Sequence, residues 1–306
     1  MKSKEYLKGI KNRDISILSQ AITLIESTRE KDKKQANTLI DLCLQEKKKA
    51  KKICISGPPG VGKSTFIDTL GNHLVTNNKI AVLAIDPSSQ KSKGSILADK
   101  TRMSKLSSNK NVFIRPSPNK GSLGGINNTT RESIILCETF GFDIIIIETV
   151  GVGQSEIFGH SISDCFVLLT LPKSGDEMQA IKKGILEFAD IIIIHKSDTI
   201  KKLEIEQERN YYSERFNKQK MIEVFSSRTQ KNVEKIWKKI DFFLNQNKQK
   251  NKQLDWLKEA IKEELQIEFY KNPKVKNEMK ILQKNIESSN LNIKKTAKEL
   301  VKKYLK

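Results

Sequence analysis

Hydrophobic and polar positions divide the 306-residue chain into three zones. From about Ser3 to Lys52 apolar residues recur at three- and four-residue steps: Ile15, Leu18, Ile22 and Ile25, with Leu39, Leu42 and Leu44 further on. That spacing puts side chains on one face of a helix, so this zone predicts amphipathic helices lying on another body. From Lys51 to about Asn245 the pattern changes to short apolar runs: Ile53–Ile55, Ile80–Ile85, Ile144–Ile147, Phe166–Leu171, Ile191–Ile194 and Met221–Phe225. Nearly continuous apolarity without alternation is expected of strands buried on both faces of a parallel sheet. Helical stretches between most of these runs complete a βαβ rhythm. From about Lys248 to Lys306 helical spacing returns at Leu254, Leu257, Ile261 and Leu265, followed by Pro273 and two more helix-like stretches. The Asn/Gln/Lys-rich segment Asn245–Gln253 reads as a linker, and no internal repeat is visible. The expected division is a helical extension over residues 1–50, an α/β domain over 51–247 and a helical segment over 248–306.

Chemistry-bearing residues stand at the ends of these runs. Gly57-Pro58-Pro59-Gly60-Val61-Gly62-Lys63-Ser64-Thr65 fits G-x-x-x-x-G-K-[ST], follows the first expected strand and opens a helix with Phe66, Leu70 and Leu74. This is the context a phosphate-binding loop needs. The glycines let the backbone aim N–H groups inward, and the helix N-terminus adds partial positive charge. Lys63 would reach the β- and γ-phosphates, and Ser64 would set its hydroxyl on Mg²⁺. Asp86 closes the second run, and Asp86 and Asp99 are candidate Mg²⁺ ligands, directly or through water. Glu148 directly follows Ile144–Ile147, where a Walker B acid sits, and Gly151 would free a backbone N–H to sense a γ-phosphate. Lys63 and Glu148 are the catalytic candidates, with Gln154 a candidate for orienting water. The fold expected is an α/β P-loop nucleoside triphosphatase with a mostly parallel central sheet plus N- and C-terminal helical extensions.

His195-Lys196-Ser197-Asp198, after the fifth run, resembles the N-K-x-D motif that reads guanine. A carboxylate only accepts, so Asp198 can take hydrogen bonds from N1–H and the 2-amino group of guanine, while adenine offers an acceptor at N1. Lys196 can lay its aliphatic stem along the base plane. His195 stands where Asn is usual: an imidazole can donate to N7, but the Asn's bonds to its surroundings are expected to be lost. Ser226, Ser227 and Arg228 follow the last run, where a short loop under the base belongs. His73 and His160 have no ligand-like spacing and read as structural or surface residues.

Composition changes little in this picture. The formal charge of +20 would suggest nucleic acid or an anionic membrane. Lysine is spread over the whole length, however, and aromatics are only 6%, so no basic, base-stacking stripe forms. The expectation is no nucleic-acid partner. No apolar run approaches the ~20 residues of a membrane span. The stretch MKSKEYLKGIKNRD lacks the apolar core of a signal peptide. Cys43, Cys54, Cys137 and Cys165 include no CxxC pair, which fits a reducing cytoplasm.

Taken together, the chain resembles the methylmalonyl-CoA mutase-associated GTPases of the MeaB/ArgK type. The residues that carry this are AITLIEST near Ala21, GPPGVGKST, the AIDPSS and DKTRM stretches, RPSPNKGSLGG from Arg115 to Gly125, ETVGVGQSE and GDEMQAIKKGI from Gly175. The resemblance implies GTP or GDP with Mg²⁺ as ligands. It also implies a chaperone role toward a cobalamin-dependent acyl-CoA mutase, gating cofactor delivery or protecting the mutase. It further implies a homodimer with the C-terminal helices as its arm. By the same resemblance Ser64, Asp99 and Glu148 are magnesium-side residues with Asp86 close by. Lys173 to Gly184 is the extra switch loop that couples nucleotide state to the mutase. An ATP-dependent kinase or transport-associated ATPase is the alternative.

Overall fold

All six apolar runs become strands, and a seventh joins them. They are β1 (Lys51–Ser56), β2 (Ile80–Ile85), β3 (Val112–Ser117), β4 (Ile144–Thr149), β5 (Cys165–Thr170), β6 (Ile191–Ile194) and β7 (Met221–Val224). The computed structural model describes residues 1–46, 48–85, 103–117, 123–149, 154–172, 183–215, 220–246, 253–288 and 292–304. The chain divides into two compact units, Met1–Lys250 and Asn251–Lys306.

In the first unit one sheet runs in the order β3-β2-β4-β1-β5-β6-β7, with every neighbouring pair parallel. β2, β5 and β6 are buried throughout, which is why their sequences show no alternation. The chain steps outward from β1 to β2 and β3, returns to β4, and then continues on the other side through β5 to β7. The order reverses around β1, and ligands of open α/β sheets bind outside the carboxyl ends of the strands at such a point.

β3 is the strand that the apolar pattern misses. Its sequence, VFIRPS, has only three apolar residues before Arg115 and Pro116. It lies at the edge, where a proline without an N–H is tolerated. Arg115 then serves as a tie: its Nη2 donates to Glu26 Oε2 at 2.8 Å and to Thr23 Oγ1 at 3.3 Å.

Of the N-terminal helices α1 (Ser3–Lys11), α2 (Ile15–Ile25) and α3 (Glu30–Leu44), α2 contains Thr23 and ends at its C-cap residue Glu26. The Asp14 side chain caps α2 by accepting from Ser16 N and Ile17 N at 2.8 and 3.1 Å. Its buried stripe is Leu18, Ala21, Ile22 and Ile25, the spacing read from sequence. In α3 the stripe is Ala36, Leu39, Ile40 and Cys43, while Leu44 is exposed. Leu42, three residues beyond Leu39, is half-buried at the margin of this face, while Leu44, five beyond, turns outward.

Along the rest of this unit run α4 (Lys63–Leu74), α5 (Ser104–Ser107), α6 (Leu123–Phe140), α7 (Gln154–Ile162), α8 (Lys183–Phe188), α9 (Lys202–Arg215) and α10 (Val233–Gln246). One face of the sheet packs Ile53, Ile55, Val167, Leu169, Ile191 and Ile193 against Phe66, Ile67 and Leu70 of α4 and Ile236 and Ile240 of α10. The second unit consists of α11 (Gln253–Lys271), α12 (Pro273–Ser288) and α13 (Ile293–Tyr304). Pro273 occupies the first position of α12, where its missing N–H would be unbonded anyway. Leu254, Leu257, Ile261 and Leu265 of α11 are all about half exposed, so their apolar stripe remains open within this unit. No helix among the described residues is long and apolar enough to cross a membrane.

Candidate functional site

The loop from β1 into α4 holds the phosphate-loop motif at the sheet's reversal point. Gly57 has φ +149° and a Cβ there would lie 2.5 Å from the Leu169 carbonyl of β5, so the loop's first turn admits only glycine. Gly62 has φ +98° directly before α4, and a Cβ there would lie 2.8 Å from Cε1 of His195. Lys63 is buried, and its ammonium donates to the carbonyls of Gly57 at 2.8 Å and Pro58 at 3.2 Å. The Ser64 hydroxyl donates to Glu148 Oε1 at 2.9 Å, bringing together two residues 84 positions apart. Pro59, Gly60 and Thr65 are exposed, and the Thr65 carbonyl accepts from Thr69 Oγ1 at 2.9 Å.

The base side is built by the loops after β6 and β7. His195 is 2% exposed, with Nδ1 2.7 Å from the Val61 carbonyl and Nε2 2.8 Å from Ser227 Oγ. Phe225 stacks on its ring at 6.1 Å and Phe66 meets it edge-on at 6.1 Å. Burial depresses its pKa below the ordinary value; the bond to the Val61 carbonyl opposes that and Lys196 adds to it. Lys196 adopts a left-handed conformation, φ +56° and ψ +37°, which a side chain occupies at a cost of about 1–2 kcal/mol. Its ammonium donates to the Gly60 carbonyl at 2.8 Å. Asp198 Oδ1 accepts from Ser226 Oγ at 2.5 Å, and Arg228 Nη1 lies 3.9 Å from Oδ2. The Ser226 hydroxyl, then Arg228, hold the Asp198 carboxyl below the usual carboxylate range, so it remains an ionised acceptor.

Two of the expected groupings are therefore close in space, Ser64 with Glu148 and Asp198 with Ser226 and Arg228, while Lys63 bonds the carbonyls of its own loop. His195 differs from expectation. Its ring does not stand free for N7; both nitrogens bond protein atoms, and the ties to the surroundings thought lost are present. Phe66 and Phe225, which hold the ring, were readable only as apolar positions, and Val61 only as a member of the phosphate loop. Asp86, Asp99, Gly151, Gly153 and residues 173–182 lie outside the described residues, as does the side chain of Gln154. His160 packs against Phe166 at 6.0 Å and Phe188 at 5.0 Å. Ser64 and Glu148 offer only oxygen donors at the helix N-terminus, a set that suits Mg²⁺.

The sequence profile described as "Methylmalonyl Co-A mutase-associated GTPase MeaB" matches residues 18–274. A Mycobacterium tuberculosis protein named a probable GTPase is 51% identical over 191 residues, 62% of this chain and 57% of that one. The chain thus spans little more than half the length of that relative. A Caenorhabditis elegans protein named methylmalonic aciduria type A homolog, mitochondrial, is 35% identical over 321 residues, covering 94% of this chain and 79% of that one. Among solved structures, one described as a LAO/AO transport system kinase aligns with a TM-score of 0.74 at 27% identity, covering 99% of this chain and 98% of that one.

Proposed function

Because the chain belongs to the methylmalonyl-CoA mutase-associated GTPase family, we propose that it binds GTP with Mg²⁺, hydrolyses it, and uses that cycle to chaperone a cobalamin-dependent acyl-CoA mutase. The observation that carries this reading is the lacing of the base loops to the phosphate loop. Val61 and Gly60 carbonyls bond His195 and Lys196, so the Asp198 carboxylate and the Lys63 loop form one wall. Lys63 would leave its loop carbonyls for the β- and γ-phosphate oxygens, and inward N–H groups would neutralise charge on the transferring phosphoryl group. Ser64 and Glu148 would hold Mg²⁺, which supplies further charge neutralisation when bound. Asp86 and Asp99 are proposed beside them, with Gln154 as the group that orients water.

Asp198, held ionised, favours guanine over adenine, since a carboxylate can accept from guanine's N1–H and 2-amino group but meets only another acceptor at adenine N1. The mutase client follows from the family's description. The open stripe Leu254–Leu257–Ile261–Leu265 supports the second unit as a homodimer arm. A cytoplasmic location without a membrane or nucleic-acid partner completes the proposal.

The test is GTP turnover with and without a cobalamin-dependent mutase, alongside ATP competition and a mutase pull-down in a non-hydrolysable GTP analogue. Lys63→Ala is expected to abolish turnover, ATP to compete weakly, and capture to depend on the analogue. Unchanged turnover in Lys63→Ala would sink the catalytic reading. A preference for ATP would favour the activity named for the transport-kinase neighbour.

A further inference from the structure

His195 has no donor to spare for a base. A neutral imidazole carries one N–H and one lone-pair nitrogen. A backbone carbonyl only accepts, so the 2.7 Å contact with Val61 puts the proton on Nδ1. Nε2 is then the acceptor, and the Ser227 hydroxyl donates to it at 2.8 Å. The ring is also fixed in place: Phe225 and Phe66 pack against it, and it is 2% exposed. Burial keeps it neutral, and an added proton would in any case sit on Nε2, facing Ser227.

The asparagine usual at this position differs in count, not in reach. Its amide has two N–H groups and a carbonyl, so it can bond a loop carbonyl and a hydroxyl and still offer one N–H. The neighbouring hydroxyls do not replace that donor, since Ser226 donates to Asp198 and Ser227 to His195. Guanine carries its N7 acceptor on the edge away from the N1–H and 2-amino donors that suit a carboxylate.

We propose that the base site reads guanine through the N1–H and 2-amino edge alone and leaves N7 unread, because His195 spends both ring nitrogens on joining the phosphate loop to the loop after β7. This rests on the guanine-nucleotide reading of the site. His195 is accordingly a positioning residue, and specificity falls on Asp198.

Isothermal titration calorimetry of the full chain with GDP, 7-deaza-GDP and inosine diphosphate, in the presence of Mg²⁺, tests this. The expected result is 7-deaza-GDP bound within about threefold of GDP, less than one ordinary hydrogen bond is worth, with inosine diphosphate weakened about tenfold or more. In His195→Asn a preference for GDP over 7-deaza-GDP of about fivefold should appear. A loss beyond about threefold for 7-deaza-GDP in the parent chain would overturn the inference while leaving the guanine site intact. A His195→Asn variant that gains no such preference would overturn the assignment to His195. Failure of GDP itself to bind would overturn the reading of the site and the inference with it.

Discussion

Replacing Gly62 by alanine probes the contact between the phosphate loop and the base loops, and two costs should add. The backbone there has φ +98° and ψ +33°, a left-handed conformation that costs an L-residue about 1–2 kcal/mol. The new Cβ would lie 2.8 Å from Cε1 and 3.0 Å from Nδ1 of His195. That ring cannot retreat, because Phe66 and Phe225 pack against it and Val61 and Ser227 bond both nitrogens. Overpacking a closed site costs about 1–3 kcal/mol. Gly62→Ala should therefore destabilise the first unit by about 2–5 kcal/mol, only part of it from backbone strain. His195→Ala removes the ring, at the separate expense of a cavity and two bonds. In the double variant the steric cost disappears and the strain remains, so the pair should be more stable than the sum of the singles by about 1–3 kcal/mol. Equilibrium urea denaturation, read from Trp237 beside this unit's core in a Trp256→Phe background, measures all four corners. Additivity within about 0.5 kcal/mol would show that loop and ring do not share the packing described, and the reasoning would fail.

Asp198→Asn replaces an acceptor by an amide that also donates. GDP should bind about 10- to 100-fold more weakly and xanthosine diphosphate, with an acceptor in place of the 2-amino group, more tightly, as competition titrations would show. Ser64→Ala removes the hydroxyl that meets Glu148 at 2.9 Å and should raise the Mg²⁺ concentration needed for half-maximal GTP turnover by about tenfold or more. Burial raises the Glu132 carboxyl from 4.5 to about 7, so the folded chain holds that proton more tightly than the unfolded one. Its contribution to stability is complete below pH 4.5 and is lost as pH rises through about 7. Glu132→Gln should accordingly stabilise the chain at pH 8, by on the order of 1–3 kcal/mol, and change little at pH 4, as urea midpoints at both values would reveal.

What the sequence disclosed followed from how strongly each element's burial constrains its residues. β2, β4, β5 and β6 are covered on both faces, so nearly every position had to be apolar and the runs stood out. β3 has a neighbour on one side only, and there Arg115 and Pro116 are admissible, so the strand left no run to read. In α3 the apolar residues outnumber the buried ones, and spacing alone could not tell Leu44 from Cys43; the packing surface decides. The phosphate loop was legible because its backbone admits few residues: a left-handed turn at Gly62 and the close approach of the Leu169 carbonyl at Gly57 both call for glycine.

His195 marks the boundary of that legibility. Read along the chain it is a polar residue after a strand, beside Lys196 and Asp198, and its natural partner is a ligand. Its actual partners are a carbonyl 134 residues away and a hydroxyl 32 residues away, neither of which any local pattern announces. The distinction matters for function because hydrogen-bond capacity is a count. An imidazole that closes two bonds to the protein has closed its account with the base, whereas an amide has one N–H remaining. Motif spelling records the position of a side chain, and only the fold determines how much of its bonding is left for a ligand. Asp198 illustrates the opposite case: one oxygen takes Ser226, yet a carboxylate has about four lone-pair sites, so ample capacity remains for guanine's two donors. On the proposed guanine reading, base selection would rest on Asp198, whose acceptor capacity exceeds what Ser226 takes.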